Sequence, residues 1–530
     1  MTSLDFSSSK PAGWRLIAGA LAVASLLSAC GGGSGNTGAV AGATPPSAGT
    51  TPPPATSPGG AAPDPIPTED PSTLQNVCAA PRTGTDPDGI AYNDRQGTVQ
   101  DEMKFLRAWA DRYYLWYNEI PSTVHMADYT NPVDYFDKLK TPAVTASGSL
   151  KDHFHFTYPT TTWDAMTNRG EEVGYGVTWA RNPEPKIPRT WLVAIVEPGS
   201  PAAAAGLVRG DMLIAVDGVD FISTGDQAGV DKLNAGLFPD NAGEQHKLTL
   251  RRAGNPFDVT MTSSVVAADP VKNVKLIDTP TGKVGYLTFN DHNAVSERQL
   301  VDAFTTFKSA GVKDLVLDMR YNGGGILYVA SELAYMVAGP SVGGFVFEDL
   351  VYNDKTAPQA PIPFRNKAYG FAAPNQVPAG QLLPALGLKH VTVLTSSDTC
   401  SASEAVINGL RGMDVQVDLI GGQTCGKPYG FTPVDNCGTT YFSIEFQGKN
   451  AKGFGDFADG FAPTCNVSDD MTHALGDPAE NQLAAALSYR TTGVCPASAT
   501  ARASSAAMRL VRPDSKSVAI LPRQRNSMNR

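Results

Sequence analysis

The run Val391-Thr392-Val393-Leu394-Thr395, followed by Ser396-Ser397-Asp398-Thr399-Cys400 and Ser401-Ala402-Ser403-Glu404, decides how this chain is read. Its first five residues are β-branched or apolar and predict a buried strand. The polar run breaks that strand, and Ala405, Val406, Ile407 and Leu410 then recur at helical spacing. Ser401 therefore stands at a strand-to-helix junction. A hydroxyl placed there is exposed, faces the N–H groups of the first helical turn, and lies where developing negative charge is stabilised. The helix is expected to end near Gly412. A second strand follows (Val415, Val417, Leu419, Ile420), and then Gly421-Gly422-Gln423-Thr424-Cys425-Gly426-Lys427. A strand, helix and return strand bring the helix start and the end of the second strand to one sheet edge, so Ser401 and Lys427 are expected to meet. A desolvated lysine of lowered pKa is a competent base for a serine hydroxyl.

Ser-Ala-Ser-Glu on a helix start, followed by Gly-Lys, resembles the serine–lysine dyad of the C-terminal processing (tail-specific) peptidases. Leu317-Asp318-Met319-Arg320-Tyr321-Asn322-Gly323-Gly324-Gly325 is similar to that family's Arg-Asn-Asn-Pro/Gly-Gly-Gly loop. The resemblance implies that Ser401 is the nucleophile, Lys427 the general base, and the N–H groups of Gly324 and Ala402 the oxyanion hole. One position departs from the pattern. The family often carries a glutamine four residues after the lysine to orient the amine, and here that position is Phe431. Either another polar group orients Lys427, or the dyad acts without a third member, or activity is reduced.

Upstream, Val173-Gly174-Tyr175-Gly176-Val177 and Trp191 to Val196 read as strands. They lead to Gly199-Ser200-Pro201-Ala202, Ala205-Gly206-Leu207 and Gly210-Asp211. This series resembles a PDZ domain, with Gly174, Tyr175, Gly176 and Val177 in the carboxylate-loop position. In such a module an extended peptide adds as a strand to a sheet edge and a nest of N–H groups holds its terminal carboxylate. A purely structural PDZ with a closed groove is the alternative.

The chain reads as a multi-domain α+β and α/β protein. A helical segment over 75–166 (Phe105, Leu106, Trp109, Tyr113 and Trp116 at steps of three and four) precedes a β-sandwich or barrel-like PDZ domain over 172–265. An α/β peptidase core over 267–490 follows, of the crotonase-like type by resemblance. Within it Val284 to Phe289 and Asp314 to Asp318 are expected strands. Ser296-Glu297-Arg298-Gln299 reads as a capping box, and a helix begins near Ile326. Residues 340–389 read as an excursion over the cleft. Tyr441 to Phe446 is an expected strand, and Asp477-Pro478 an expected cap of the last helix.

At 530 residues the chain suffices for two or three cores, and a net charge of -10 argues against nucleic-acid binding. Lys10 and Arg15 precede an apolar run from Leu16 to Leu27, too short for a permanent span. The run ends Leu27-Ser28-Ala29-Cys30, which resembles a bacterial lipobox. The resemblance implies a signal peptide over 1–30, lipidation of Cys30 and, with Gly31 next, the periplasmic face of the outer membrane. Residues 31–74 are rich in Gly, Pro, Ser and Thr and read as a disordered tether, and 497–530 as a disordered basic tail. Six further cysteines suggest disulfides in an exported protein. The pairs Cys400–Cys425, which would clamp the dyad, and Cys78–Cys495 are the two expected.

His153 and His155 form a His-x-His without the remaining ligands of a metal site. Asp456 and Asp459 read as a solvated turn or a calcium loop. His292 is the first candidate for a Ser-His-Asp arrangement. Glu404 either orients the base or caps the helix. The expected function is a serine endopeptidase of the cell envelope, without cofactor or metal, acting on polypeptides with exposed C-termini and anchored to the membrane at Cys30. A PDZ-bearing lipoprotein adaptor with an inactive peptidase domain is the alternative, motivated by Phe431, and a non-proteolytic ligand-binding domain of related fold is the third reading.

Overall fold

The computed structural model describes residues 64–87, 89–183, 187–373, 376–496 and 508–511. The expected signal peptide with Cys30, most of the tether and most of the basic tail lie outside the described residues. No helix among those described is long and apolar enough to cross a membrane.

Thr98 and Asp101 cap helix α1 (Val99–Tyr113) reciprocally, and its Phe105, Leu106 and Trp109 are buried. Trp109 stacks on Phe105 and Phe136 at 6.4 and 5.9 Å. The helix stops short of Trp116, contrary to the helical spacing. Tyr114 is extended, with its hydroxyl donating to Asp152 at 2.7 Å and accepting from Thr141 N–H at 3.0 Å, and these buried bonds outweigh the periodic pattern. The segment is also not wholly helical. Phe156–Pro159 is a strand that pairs with Thr439–Phe442 of the core.

The region that resembles a PDZ domain comprises β1 (Val177–Arg181), β2 (Trp191–Val196), β3 (Met212–Val216), helix α2 (Gln227–Leu237), β4 (Gln245–Arg252) and β5 (Asn255–Thr262). Trp191, Val193, Leu213, Phe221, Leu233 and Leu248 fill its interior.

The core contains β6 (Val271–Thr279), β7 (Gly282–Phe289), α3 (Ser296–Ser309), β8 (Asp314–Asp318), α4 (Leu327–Ala338), β9 (Val346–Tyr352), β10 (His390–Thr395), α5 (Ala402–Gly412) and β11 (Gln416–Gly421). It continues with β12 (Tyr429–Gly430), β13 (Thr439–Phe442), β14 (Phe446–Lys449), β15 (Cys465–Asn466) and α6 (Asn481–Thr492). A sheet of order β6-β7-β8-β10-β11-β15 is parallel except for β6. Its ladder sets the ends of β8, β10 and β11 side by side, which gathers the glycine loop, Ser401 and Lys427 at one edge. One further strand, β16 (Arg509–Leu510), comes from the expected disordered tail and pairs with β1, so the PDZ path runs β5-β4-β3-β2-β1-β16.

Three local expectations change. The strand over Tyr441 to Phe446 is two, β13 and β14, broken where buried Glu445 turns its carboxylate to Thr432 N–H. Helix α3 starts at Ser296 without a side-chain cap, because the Ser296 hydroxyl bonds Asp291 O and Gln299 accepts Val271 N–H. Helix α6 is capped by Glu480, which accepts Leu483 N–H, while Asp477-Pro478 forms the preceding turn.

A buried charge network ties the parts together. Arg320 bonds both oxygens of Asp318, both oxygens of Glu480, and Asp469. Arg209 of the PDZ reaches Asp469 at 2.7 Å and the Tyr321 hydroxyl at 2.8 Å. The burial that each charge resists is offset by these paired, bidentate contacts.

Candidate active site

Helix α5 begins as the sequence requires, but its first neighbour is held in a costly backbone state. Ser401 has φ +54°, a conformation that costs a non-glycine residue about 1–3 kcal/mol unless its surroundings enforce it. Three groups enforce it here. Cys400, next to it, is joined to Cys425 in a disulfide. The Ser401 N–H donates to Glu404 at 3.1 Å, and Ser401 O accepts Ala405 N–H at 2.9 Å.

Glu404, fully buried, bonds more than the helix start. Its carboxylate also accepts Gly426 N–H at 2.9 Å, Lys427 N–H at 2.8 Å and the Thr424 hydroxyl at 2.6 Å. Of the two roles expected for it, the structure shows capping, and it also holds the backbone N–H of Lys427. Burial raises its pKa against these hydrogen bonds, which favour the ionised form. Cys400, Glu404 and Cys425 are also the group of metal-ligand type within mutual reach among the described residues. Its sulfurs are spent in the disulfide and its carboxylate on N–H and O–H donors.

The glycine loop packs face to face with the helix start. A Cβ at Gly324 would lie 2.8 Å from Ser401 Cβ and 2.9 Å from Ala402 N, so only glycine fits. Asn322 stitches the two together: its carbonyl accepts Cys400 N–H at 3.0 Å and the Ser403 hydroxyl at 3.1 Å. Its side-chain oxygen accepts Gly324 N–H at 2.9 Å and faces His292 Nδ1 at 3.0 Å. Of the two amides expected in the oxyanion hole, Ala402 N–H opens the helix and has no intrahelical acceptor. The Gly324 amide is engaged by Asn322. His292 lines the same cavity but is tied to this loop, with its N–H on Gly324 O, and burial depresses its pKa to about 4, so it stays neutral.

Ser401 and Lys427 line one cavity of about 1210 Å³. Lys427, 7% exposed, places its amine 4.1 Å from the centre of the Phe431 ring and 5.0 Å from that of Phe154. The residue that departs from the family pattern thus lies over the amine, and cation–π attraction fixes the amine while favouring its charged form. Phe156, Phe442 and Trp163 extend the aromatic wall. Gly174, Tyr175, Gly176 and Val177 line the same cavity at the PDZ end, and a Cβ at Gly176 would lie 2.4 Å from Ser200 Cβ.

The excursion over 340–389 contributes a wall through β9. Glu348, which the sequence did not single out, lies there with Leu350 and Tyr352. One of its oxygens is buried without a partner, and burial pushes its pKa up to about 8. Gly448 admits the carboxyl, since a Cβ would lie 1.8 Å from it.

The cysteine pairing is corrected in one place. Cys78 bonds Cys437, and Cys495 bonds Cys465; Cys78–Cys495 is not formed, because β15 and the end of α6 lie together while the N-terminal segment packs on β13. His155 bonds Asp152 inside the N-terminal core, and Asp459 accepts the Thr145 and Ser147 hydroxyls.

Residues 283–443 match the family model for peptidase family S41, residues 101–154 that for the peptidase S41 N-terminal domain, and residues 192–229 a PDZ domain. The carboxyl-terminal-processing protease of Picosynechococcus sp. is 29% identical over 171 residues, 32% of this chain and 39% of that protein. The protein of the same name from Synechocystis sp. is 26% identical over 267 residues, 49% of this chain and 54% of that protein. The chain thus spans well under two thirds of the length of either relative. Among solved structures, an S41 protease of Bacteroides fragilis aligns with a TM-score of 0.55 at 26% identity, covering 74% of this chain and 97% of that one.

Proposed function

On the premise that the chain carries an S41 peptidase domain, the S41 N-terminal domain and a PDZ domain, we propose that it is a serine endopeptidase working through Ser401 and Lys427. The observation that carries this reading is Glu404. One buried carboxylate holds the backbone N–H groups of both residues, beside a disulfide that joins their two segments.

In the proposed acyl transfer, neutral Lys427 takes the Ser401 proton and the alkoxide attacks the peptide carbonyl. The Ala402 and Gly324 amides stabilise the oxyanion, with Gly324 exchanging its bond to Asn322 for the substrate oxygen. The amine leaves with a proton from Lys427, and water activated by Lys427 releases the acyl group. Substrates are polypeptides with exposed C-termini, docked at Gly174, Tyr175, Gly176 and Val177. The chain works at the cell envelope, on the periplasmic face of the outer membrane, through a lipid on Cys30. Replacing Cys30 with Ser would then move it from the membrane fraction to the soluble one.

The Phe431 ring on the amine favours a second reading, a PDZ adaptor whose lysine stays charged. Casein cleavage by the purified full chain separates the two. Cleavage lost in both Ser401→Ala and Lys427→Ala supports the peptidase. No cleavage by the unaltered chain, with tail peptides still bound, supports the adaptor.

A further inference from the structure

The segment Met508–Val511 lies in the groove where a PDZ domain takes its peptide. Arg509 and Leu510 pair antiparallel with Arg181 and Ala180 of β1, and Val511 N–H donates to Trp179 O at 2.8 Å. As the segment advances, its partners step back from Arg181 toward Val177, so it runs toward Gly174-Tyr175-Gly176-Val177. That is the direction of a tail whose end is to be held by the carboxylate loop. Val511, 7% exposed, packs into the PDZ core cluster that includes Trp179 and Leu237.

The opposite face of the segment touches the peptidase core. Met508 and Leu510 pack against the cluster of Ala180, Ala194, Tyr321 and Leu475. Tyr321 directly precedes the loop of Asn322 to Gly325. Leu510 N–H donates to the carboxylate of Asp398 at 3.0 Å, three residues before Ser401. The segment therefore bridges the groove and the two loops that frame the nucleophile.

We propose that residues 508–511 are an intramolecular ligand of the PDZ groove, which a substrate C-terminus must displace before it can dock. The proposal concerns regulation of the site described above and rests on reading the groove as the substrate's docking place. Competition follows from the sheet: the free edge of β1 offers one row of N–H and C=O groups, and two strands cannot pair with it at once. Tethering gives the segment an effective concentration on the order of millimolar, enough to hold the groove against dilute tails even if its intrinsic affinity is modest. Displacement also removes the Leu510 bond from Asp398 and the apolar cover from Tyr321, which makes occupancy of the groove felt at the nucleophile. The side chains define what displaces it: an extended tail with a small branched apolar residue at the Val511 position, while exposed Arg509 sets no such demand.

The test is fluorescence anisotropy with a fluorescein-labelled peptide, Ala-Ala-Met-Arg-Leu-Val, carrying a free carboxylate. It is read against three proteins in a Ser401→Ala background, so that the probe stays intact: the full chain, the chain ending at Ala507, and full-length Val511→Asp. The expected result is binding tighter by about tenfold or more in both altered chains, because the tethered competitor is gone or loosened. Equal affinity in all three, or no binding by either altered chain, overturns the proposal. The binding readout needs no turnover, so a chain that proves not to be a peptidase leaves this result standing on its own.

Discussion

The cavity has two walls that are made in different ways. The wall that carries Ser401 comes from one short stretch, β10, a turn and the first turn of α5. The wall that faces the Lys427 amine is gathered from distant parts of the chain: Phe154 and Phe156 precede the PDZ, and Phe431 and Phe442 follow Lys427. The difference separates two jobs. The backbone around Ser401 is set locally, through a strained φ, a helix start and Glu404. The surroundings of the Lys427 amine are set by packing between distant segments, such as Phe156 on Phe442.

The largest expected effect removes the local wall's chemistry. Ser401→Ala and Lys427→Ala should each lower casein cleavage by about 1000-fold or more, with unchanged circular dichroism. Loss in only one of them would break the pairing of the two walls.

The next effect loosens the clamp between them. Cys400→Ser with Cys425→Ser opens a loop whose closure stabilises the folded chain by about 3 kcal/mol, so the melting temperature should fall. Because the disulfide also helps to hold Ser401 and Lys427 in register, kcat/KM should fall by about 10- to 100-fold. Full activity in the double variant would show that Glu404 alone suffices.

Much of the local wall was legible in the sequence, and little of the other. The β-branched run at Val391 to Thr395 and the apolar spacing after Ser401 fixed strand and helix, since both patterns have short periods. The Gly-Ser-Pro-Ala series likewise marked the PDZ. Trp116 continued a helical rhythm that buried hydrogen bonds at Tyr114 interrupt. The partners of Cys78 and Cys495 depend on which distant elements are neighbours, and spacing carries no such information. Met508–Val511 sits in a polar, basic stretch and becomes a strand only because β1 offers it an edge. Glu348 looked like one acidic residue among many, and its burial became visible only once β9 was seen to line the cavity.

Glu348 is a buried acid that lines the cavity from β9. Its pKa of about 8 lies above the ordinary value of 4.5, so the folded chain holds this proton more tightly than the unfolded one. Stability from this group is full below about pH 4.5, declines as pH rises through 8, and is flat above. Glu348→Gln should therefore reduce the loss of stability between pH 5 and pH 9 by about 1–3 kcal/mol, read from melting or urea curves in the Ser401→Ala background. An unchanged pH dependence would mean that Glu348 does not hold its proton more tightly in the folded chain.

The smallest expected effect lies at the amine. The Phe431 ring lies 4.1 Å from the Lys427 amine and helps to hold it in place, so Phe431→Leu should lower kcat/KM for casein by about two- to fivefold, and Phe154→Leu by less, since its ring is farther from the amine. Unchanged kcat/KM in Phe431→Leu would mean that the ring does not position the amine.

If Ser401 is the nucleophile and Lys427 its base, Ser401 itself becomes acylated. The most direct test mixes the purified full chain with a p-nitrophenyl ester, quenches in acid within one turnover, and maps the added mass by peptide mass spectrometry. An acyl group is expected on the peptide bearing Ser401, absent in Ser401→Ala and in Lys427→Ala. An adduct on another residue, or ester turnover that persists unchanged in Ser401→Ala, would contradict it.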